Sequence, residues 1–370
     1  MRVASIALEE FRSYPRTELT LDAGITAFVG PNGAGKTNLL EAIHLLARGD
    51  SSRASDDAEL IRWGAAFAKV RADVTRHAER VELELTLFAP VAGARRHPRR
   101  HTVNGVSRRA DDVIGSFAVV AFFPEDTDLL ASAPSARRRY VDAMVAQVDK
   151  AHRNDIREYA RVLQQRNALL RAGAGGEEPI PETELAFWDT ELVRLAVAIS
   201  LRREAAVREL RPAFRGAAAG IGAEPVPDVA YAGQVQAATP EERAERYFAL
   251  IAEKRDRERW QGTTLVGPHR DDLAVAVGER PLPTFASRGE QRSAVLALKL
   301  AEAEWIRLRR GEHPIFLLDD VLSELDASRR DALCRALPEE AQALVTAAVE
   351  ASIPPSLRER ASIVPVRRRE

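Results

Sequence analysis

The chain has 370 residues, 45% of them hydrophobic, and a formal net charge of −1; this length predicts two domains, or one domain with a large insertion. The charge excludes a uniformly basic coat for nucleic acid, and the single cysteine, Cys334, excludes a disulfide framework and a thiolate zinc site within one chain. No apolar run reaches the roughly 18 residues of a membrane helix, and the N-terminus lacks a signal-peptide pattern, so we expect a cytoplasmic protein without a membrane partner.

A glycine-rich segment near the N-terminus fits the pattern G-x-x-x-x-G-K-[ST]. It follows an apolar run at Ile25–Val29 and precedes apolar residues at helical spacing, which is the strand, loop and helix order of a phosphate-binding loop. Backbone N–H groups of such a loop, with a helix N-terminus behind them, bind phosphate oxygens. Lys36 is predicted to contact the β- and γ-phosphates as a catalytic residue, and the Thr37 hydroxyl to ligate Mg²⁺. The residues predicted to bind ATP in this loop are Gly30, Pro31, Asn32, Gly33, Ala34, Gly35, Lys36 and Thr37.

Two β-hairpins are predicted in the first third of the chain. Strand-forming residues at 3–8 and 17–21 flank a turn at 11–14, which lies either near the nucleotide base or in an exposed turn with one anchoring aromatic residue. Asn104-Gly105 is a strong signal for a second hairpin. Arginines at 95–100 and 108–109 flank that turn, and this basic segment either contacts DNA phosphates or is a solvated face.

The middle of the chain has mainly helical periodicity. Residues 156–170 and 185–199 carry apolar side chains at helical spacing, and the short polar link between them predicts an antiparallel helical hairpin. One strand at 226–231 and a charged helix at 241–259 follow, and the main sheet is expected to resume near Thr264. The sequence therefore predicts an α/β ATPase domain at 1–124 plus 261–370, and a mostly helical inserted lobe at 125–260.

A second set of motifs lies in the last quarter of the chain. Four apolar residues at Ile315–Leu318 end in two acids, as a buried strand opposite Mg²⁺ in a P-loop enzyme does. We predict that Asp319 holds Mg²⁺ through water and that Asp320 orients or deprotonates the attacking water. The pattern is weak alone, because buried strands often end in an acid, and becomes strong beside a P-loop.

The helix that begins near residue 287 carries a third motif. Ser287, Gly289 and Gln291 resemble the S-x-G-x-Q core of the ABC-ATPase signature, although a serine at a helix start is ordinarily only an N-cap. The signature reading is favoured because Ser-Glu-Leu-Asp at 323–326 follows the acids and resembles the D-loop of the same superfamily. Ser287, Gly289, Gln291 and Asp326 are therefore added to the predicted ATP-binding residues.

Five further segments narrow the resemblance. Residues 39–43, 124–126, 165–167, 267–272 and 317–326 together resemble the RecF family of bacterial DNA-repair ATPases over nearly the whole chain. The resemblance implies an ABC-type, SMC-like head, a mixed sheet with flanking helices, without a long coiled coil. It also implies slow, DNA-stimulated ATP hydrolysis, an ATP-dependent homodimer on single- and double-stranded DNA and gap junctions, and a role in DNA replication, repair and the SOS response. Its implied partners are RecR and RecO, which act with it in loading RecA at single-strand gaps.

Two positions depart from the superfamily pattern. Thr346-Ala347 stands where transporter-type ABC ATPases carry a histidine that senses the γ-phosphate, so we expect slow hydrolysis. The C-terminus is rich in arginine, at Arg367, Arg368 and Arg369, and its role is left open.

Three alternative functions are disfavoured by the sequence. A transporter ATPase is disfavoured because its signature follows the P-loop much sooner. A chromosome-organising head is disfavoured by the short helical hairpin. A nuclease-coupled head is disfavoured because no acidic cluster matches His269-Arg270-Asp271-Asp272, the candidate for a nuclease metal site.

Overall fold

The structure is a computed structural model that describes residues 1–89, 98–175 and 181–367. Within these residues the strands form three sheets. The strands are, in chain order, β1 (Arg2–Phe11), β2 (Tyr14–Thr20), β3 (Ile25–Val29), β4 (Phe67–Arg76), β5 (Glu79–Phe88), β6 (Arg99–Val103), β7 (Val106–Arg108), β8 (Val119–Phe122), β9 (Asp228–Ala232), β10 (Asp272–Val277), β11 (Arg280–Pro281), β12 (Ile315–Leu318), β13 (Ala343–Ala347) and β14 (Ala361–Pro365).

The helices account for most of the remaining described residues. They are α1 (Lys36–Arg48), α2 (Ala110–Val113), α3 (Pro134–Ala146), α4 (Lys150–Gly175), α5 (Glu182–Gly220), α6 (Pro240–Gln261), α7 (Leu282–Phe285), α8 (Arg288–Arg310), α9 (Val321–Glu324), α10 (Ala327–Ala336) and α11 (Pro355–Arg358). Among the helices of the described ranges, none is long and apolar enough to cross a bilayer.

A parallel sheet of five strands, in the order β14-β3-β13-β12-β8, carries the P-loop and the acidic pair. Its strands are short and nearly all apolar, which is typical of a parallel sheet covered on both faces. Since β13 lies between β3 and β12, the carboxyl ends of these three strands meet at one edge of the sheet. The sheet thereby brings the loop after Val29 close to the residues after Leu318.

A six-stranded antiparallel sheet, in the order β2-β1-β4-β5-β6-β7, shares a hydrophobic core with helix α1 and the parallel sheet. Both predicted hairpins are confirmed, β1 with β2 and β6 with β7. The second turns at Asn104 (φ 50°) and Gly105 (φ 74°), as two-residue hairpin loops require. Of the basic segment beside it, Arg95 and Arg96 lie outside the described residues.

Helix α1 explains how the two sheets share one core. Leu39, Leu40 and Ile43 are buried, in one cluster with Leu83 of the antiparallel sheet and Leu317 of the parallel sheet. A helix that is buried on nearly every side is held rigidly, because any displacement opens cavities in a close-packed interior. The P-loop at its N-terminus is therefore anchored on a fixed element.

The predicted helical hairpin is confirmed and is longer than expected. Ion pairs join α4 to α5 in antiparallel order, Arg166 with Asp189, Glu158 with Arg194, and Asp155 with Arg202. Helix α5 continues past the predicted end at residue 199 to Gly220, because the sequence after Ile199 is rich in good helix formers.

Contacts divide the chain into a first unit, Met1–Asp128 with Ala213–Val226 and Ser287–Glu370, and a second unit, Leu129–Pro212 with Pro227–Ala286. This division differs from the predicted lobes at three segments, the shortest of which, residues 125–128, falls in the first unit. Residues 261–286 fall in the second unit, since β10 pairs with β9 and β11 in a separate three-stranded sheet. The expectation that the main sheet resumes near Thr264 is therefore wrong.

Residues 213–226 fall in the first unit although they were expected in the helical lobe. Their small side chains line a cavity of about 410 Å³ together with residues of α8 and α10. The apolar side chains of Phe214 and Ile221 in this segment are buried.

Candidate ATP site

The loop between β3 and α1 has the geometry of a phosphate-binding loop. The Lys36 side chain is buried and its Nζ donates to the carbonyl oxygens of Gly30 (2.8 Å) and Pro31 (3.2 Å). A Cβ at position 30 would lie 2.0 Å from the carbonyl oxygen of Val366, so only glycine fits there. Gly35 has φ +101°, and a Cβ on it would lie 2.9 Å from the Tyr14 hydroxyl. The close packing of this loop therefore explains two of its glycines directly.

The remaining loop residues differ in exposure. Pro31, Asn32 and Gly33 are exposed at the tip, whereas Ala34 is buried under it. Exposed backbone at the tip, followed by the N-terminus of α1, leaves N–H groups available to an anion.

The structure brings the P-loop and the acidic strand into direct contact. The Thr37 Oγ1 donates to Asp319 Oδ1 at 3.0 Å, across 282 positions of sequence. Burial raises the pKa of Asp319, while hydrogen bonds from Thr346 and Thr37 oppose that shift. A hydroxyl and a carboxylate oxygen side by side are the ligand type that Mg²⁺ prefers, so these residues fit the predicted metal.

Thr346 also belongs to this cluster. From the sequence, the residue stood out only because it occupies the position of the transporter-type histidine. It is the penultimate residue of β13, which lies between the P-loop strand and the acidic strand. Its Oγ1 donates to Asp319 Oδ1 at 2.8 Å and accepts from the backbone N–H of Asp320 at 2.9 Å. One hydroxyl therefore fixes both acids, and the signal in the sequence was its position at the end of a buried strand.

Replacing Thr346 by Val is expected to lower kcat about 10-fold to 100-fold while ATP affinity stays near wild type. The reason is that the substitution removes the two hydrogen bonds that orient the acids, and losses of that size are typical for groups supporting a metal site. Steady-state ATP hydrolysis and nucleotide titration measure the two quantities.

Thr26 offers a matched control for that substitution. It is buried on the neighbouring strand β3, and among the described residues its hydroxyl has no hydrogen-bond partner. Thr26→Val should therefore keep full turnover, and Thr346→Ser, which retains the hydroxyl, should recover most of it. Equal turnover of Thr346→Val and Thr26→Val would contradict the positioning role.

Asp320 itself has a backbone conformation that is unusual outside glycine. Its φ is +50°, and the residue is the N-cap of the short helix α9. Asp tolerates the left-handed region better than most residues, yet such a position still costs about 1 kcal/mol or more. The Thr346 hydrogen bond and the carbonyl of Asp320, which accepts from Ser323 N at 3.0 Å, hold it there.

The turn at residues 11–14 lies against the P-loop. Tyr14 Oη donates to the carbonyl of Gly35 at 3.2 Å, and Asn38 Nδ2 donates to Ser13 Oγ at 2.9 Å. Arg12 makes a bidentate pair with the buried Glu41 of α1, at 2.6 and 2.9 Å. The turn is therefore anchored on the P-loop and α1, and its position near the nucleotide base stays a prediction.

Ser287, the predicted signature residue, is also an N-cap. It forms a capping box with Glu290, in which Ser287 Oγ accepts from Glu290 N at 3.3 Å and Ser287 N donates to Glu290 Oε2 at 2.7 Å. A serine hydroxyl that accepts one hydrogen bond still has its proton to donate. Ser287 can therefore be both the N-cap of α8 and the signature serine. Gln291, the other predicted signature residue, follows Glu290 in α8.

The D-loop residue Asp326 lies beside the signature. It caps α10 by accepting from Arg329 N at 2.9 Å, and its other oxygen pairs with Arg329 Nη1 at 2.9 Å. A Cβ at Gly289 would lie 3.5 Å from that same Nη1. Ser287, Gly289 and Asp326 consequently form one cluster at the N-termini of α8 and α10.

The segment at residues 267–272 is a hydrogen-bonded network of the second unit. His269 contacts the Tyr159 hydroxyl through Nδ1 (2.7 Å) and the Thr264 carbonyl through Nε2 (3.1 Å), and burial lowers the pKa of His269 to about 4. Asp272 makes a bidentate pair with Arg137. Within the described ranges no group of three or more His, Cys, Asp and Glu side chains is arranged to hold a metal ion.

The arginines proposed to contact DNA differ in exposure and in their ion pairs. Arg99 is held by Asp57 in a bidentate pair, at 2.6 and 2.5 Å, whereas the side chain of Arg100 is 57% exposed. Arg137 is buried against Asp272. Of the C-terminal arginines, Arg368 and Arg369 lie outside the described residues.

A family model supports the resemblance over almost the whole chain. The model described as the RecF/RecN/SMC N-terminal domain matches residues 2–361. A protein of Roseiflexus castenholzii named DNA replication and repair protein RecF is 40% identical over 349 residues, which is 89% of each chain. The protein of the same name from Gloeobacter violaceus is 40% identical over 350 residues, covering 94% of this chain and 92% of its own.

Solved structures agree with the sequence relatives. A structure described as the recombination mediator protein RecF-ATP in the RecFOR pathway is 28% identical, with a TM-score of 0.86 over 95% of this chain and 93% of its own. An SMC head bound to the C-terminal winged-helix domain of ScpA has a TM-score of 0.56 at 16% identity, covering 100% of this chain and 95% of its own, and shares the fold. The predicted fold class, an ABC-type α/β ATPase head with an added mostly helical part, is confirmed.

Proposed function

This chain belongs to the RecF family of ABC/SMC-like ATPases, and on that premise we propose that it binds ATP and DNA, dimerises on ATP binding and hydrolyses ATP slowly in the repair of single-strand gaps. The observation that carries the ATPase assignment is the contact between Thr37 and Asp319 at 3.0 Å. It joins the two halves of a P-loop ATPase site, which are far apart in the sequence.

Each residue of the site has a proposed role. Lys36 and the loop N–H groups bind the phosphates of ATP, and Thr37 with Asp319 holds Mg²⁺, which when bound supplies positive charge to the β- and γ-phosphates. Asp320 is proposed as the general base toward the attacking water. The absence of a histidine at the position of Thr346 is consistent with slow turnover.

A shared site explains why dimerisation should depend on ATP. In the ABC arrangement the signature of one subunit faces the P-loop of the other. We infer that Ser287 and the Gly289 N–H, at the positive end of α8, bind the γ-phosphate held by the partner's P-loop. ADP lacks that phosphate, so the dimer is favoured with ATP and not with ADP.

Ser287→Arg is expected to bind ATP as a monomer with nearly wild-type affinity, and to lose both ATP-induced dimerisation and DNA-stimulated hydrolysis. The long cation fills the space that the partner's γ-phosphate needs. Sedimentation with ATP and hydrolysis with and without gapped DNA measure the two losses.

Thr239→Arg is the matched control, since Thr239 is also an N-cap and accepts from Glu242 N at 3.1 Å in the second unit. It should lose a cap but keep activity. Mixing Ser287→Arg with Lys36→Met protein should restore hydrolysis, because one of the two sites in the mixed dimer combines an intact P-loop with an intact signature. No recovery on mixing would contradict a shared site.

DNA binding is proposed to be weak without nucleotide and to fall steeply with salt, since arginine contacts with phosphates release counterions. Arg100 is the better exposed candidate in the β6–β7 hairpin, whereas Arg99 is already paired with Asp57. The substrates proposed are single- and double-stranded DNA at gap junctions.

The biological partners follow from the family and from the named relative. We propose that the chain acts with RecR and RecO to promote RecA loading, in the cytoplasm. The relative described with ATP as a recombination mediator in the RecFOR pathway supports this role.

A further inference from the structure

One side chain beside the proposed signature has no role in the function described so far. Arg329 lies in the first turn of α10. Its Nη1 is 3.5 Å, and its Nη2 4.0 Å, from the point where a Cβ on Gly289 would stand. The guanidinium therefore lies directly over the one residue of the signature that has no side chain to shield it.

The charges around Arg329 leave room for an anion. Its Nη1 pairs with Asp326 Oδ2 at 2.9 Å, and the carboxylate is 53% exposed while the arginine side chain is 31% exposed. The other acid nearby, Glu290, is engaged in the capping box with Ser287. The pKa of Glu290 is lowered mainly by its hydrogen bonds with Ser287 and less by the charge of Arg329. Arg329 is therefore near this carboxylate without being its main partner.

The position of Arg329 in its helix also favours an anion beside it. A cation in the first turn opposes the helix dipole, which favours anions there. The N-termini of α8 and α10 also meet at this point through Gly289 and Arg329. An approaching phosphate would be attracted by both helix ends and by the guanidinium.

We propose that Arg329 is a catalytic residue supplied in trans, whose guanidinium donates to the γ-phosphate of the ATP held in the partner subunit's P-loop. This inference rests on the shared site proposed above. Asp326 holds the guanidinium beside Gly289 until the partner docks, and the γ-phosphate then takes over one or more of its N–H donors. An arginine fork suits this task because it can give two parallel hydrogen bonds to phosphate oxygens.

Arg329→Ala is expected to bind ATP as a monomer with wild-type affinity, since the contacts that pack the P-loop are made by Tyr14 and Val366 and not by Arg329. Its kcat should fall by about 10²-fold to 10³-fold, the range for loss of one donor to transition-state charge. Arg329→Lys should recover part of the rate. Arg335→Ala, an exposed arginine at the other end of the same helix, is the control and should keep wild-type turnover.

Mixing experiments decide whether Arg329 acts in trans. In a mixture of Arg329→Ala and Lys36→Met protein, one site combines the intact P-loop of the first with the intact Arg329 of the second, so hydrolysis should return. Suppose that the mixture of Lys36→Met with Ser287→Arg recovers hydrolysis and this mixture does not. Arg329 would then act within its own subunit, and the inference would be overturned. Failure of both mixtures would overturn the shared site and this inference with it, and wild-type turnover of Arg329→Ala would overturn the inference alone.

Discussion

Lys36→Met is expected to abolish productive ATP binding. Its Nζ is held in the loop by the carbonyls of Gly30 and Pro31, at 2.8 and 3.2 Å, where phosphate oxygens would come within reach. Methionine has a similar length but no charge and no N–H donor. Charge-assisted hydrogen bonds contribute about 1.5–3 kcal/mol each. The loss of one bond to each of the β- and γ-phosphates therefore predicts an ATP affinity lower by on the order of 100-fold or more.

Titration of the pure protein with a fluorescent ATP analogue measures this effect. Lys69→Met is the control, since Lys69 is a half-buried lysine of β4 whose Nζ lies 3.9 Å from Glu9 and 4.0 Å from Glu84. It should bind nucleotide as wild type does. Wild-type ATP affinity of Lys36→Met would remove the P-loop assignment.

Asp320→Asn is expected to bind ATP normally but to hydrolyse it about two to four orders of magnitude more slowly, the usual range for loss of a general base. The amide fits the same place, because the hydrogen bond from the backbone of Asp320 to Thr346 does not involve the side chain. ATP-bound dimers should accumulate on DNA, since the step that releases them is blocked.

Single-turnover hydrolysis, with sedimentation on gapped DNA, measures both consequences. Asp331→Asn, which removes an exposed carboxylate of α10, is the control and should leave turnover unchanged. If Asp320→Asn turns over at the wild-type rate, the base lies elsewhere, and Glu125 and Asp319 are the next residues to replace.

Much of the ATPase site could be predicted because its signals are local. The P-loop is a contiguous pattern with a strand before it and a helix after it, and the acidic pair directly ends a buried strand. Both hairpins were predictable for the same reason, since Asn104-Gly105 specifies its turn by backbone conformation alone. Alternation and helical spacing then gave the main elements correctly.

What the sequence could not provide depends on pairing between distant segments. β10 pairs with β9 across about 40 positions, and nothing in either strand says which sheet it joins. Thr346 becomes a site residue only because β13 lies between the strands of the P-loop and of the acids. The proposed role of Arg329 likewise depends on its position beside Gly289, which the order of residues does not reveal.

Sedimentation of the pure protein with ADP, with ATP, and with ATP plus gapped DNA tests the central proposal most directly. The account predicts a monomer with ADP, a dimer with ATP, and a DNA-bound dimer when gapped DNA is added. It predicts as well that Ser287→Arg remains a monomer in all three. A dimer of equal stability with ADP and ATP, or a wild-type protein that stays monomeric with ATP and DNA, would contradict a site that is completed across two subunits by the γ-phosphate.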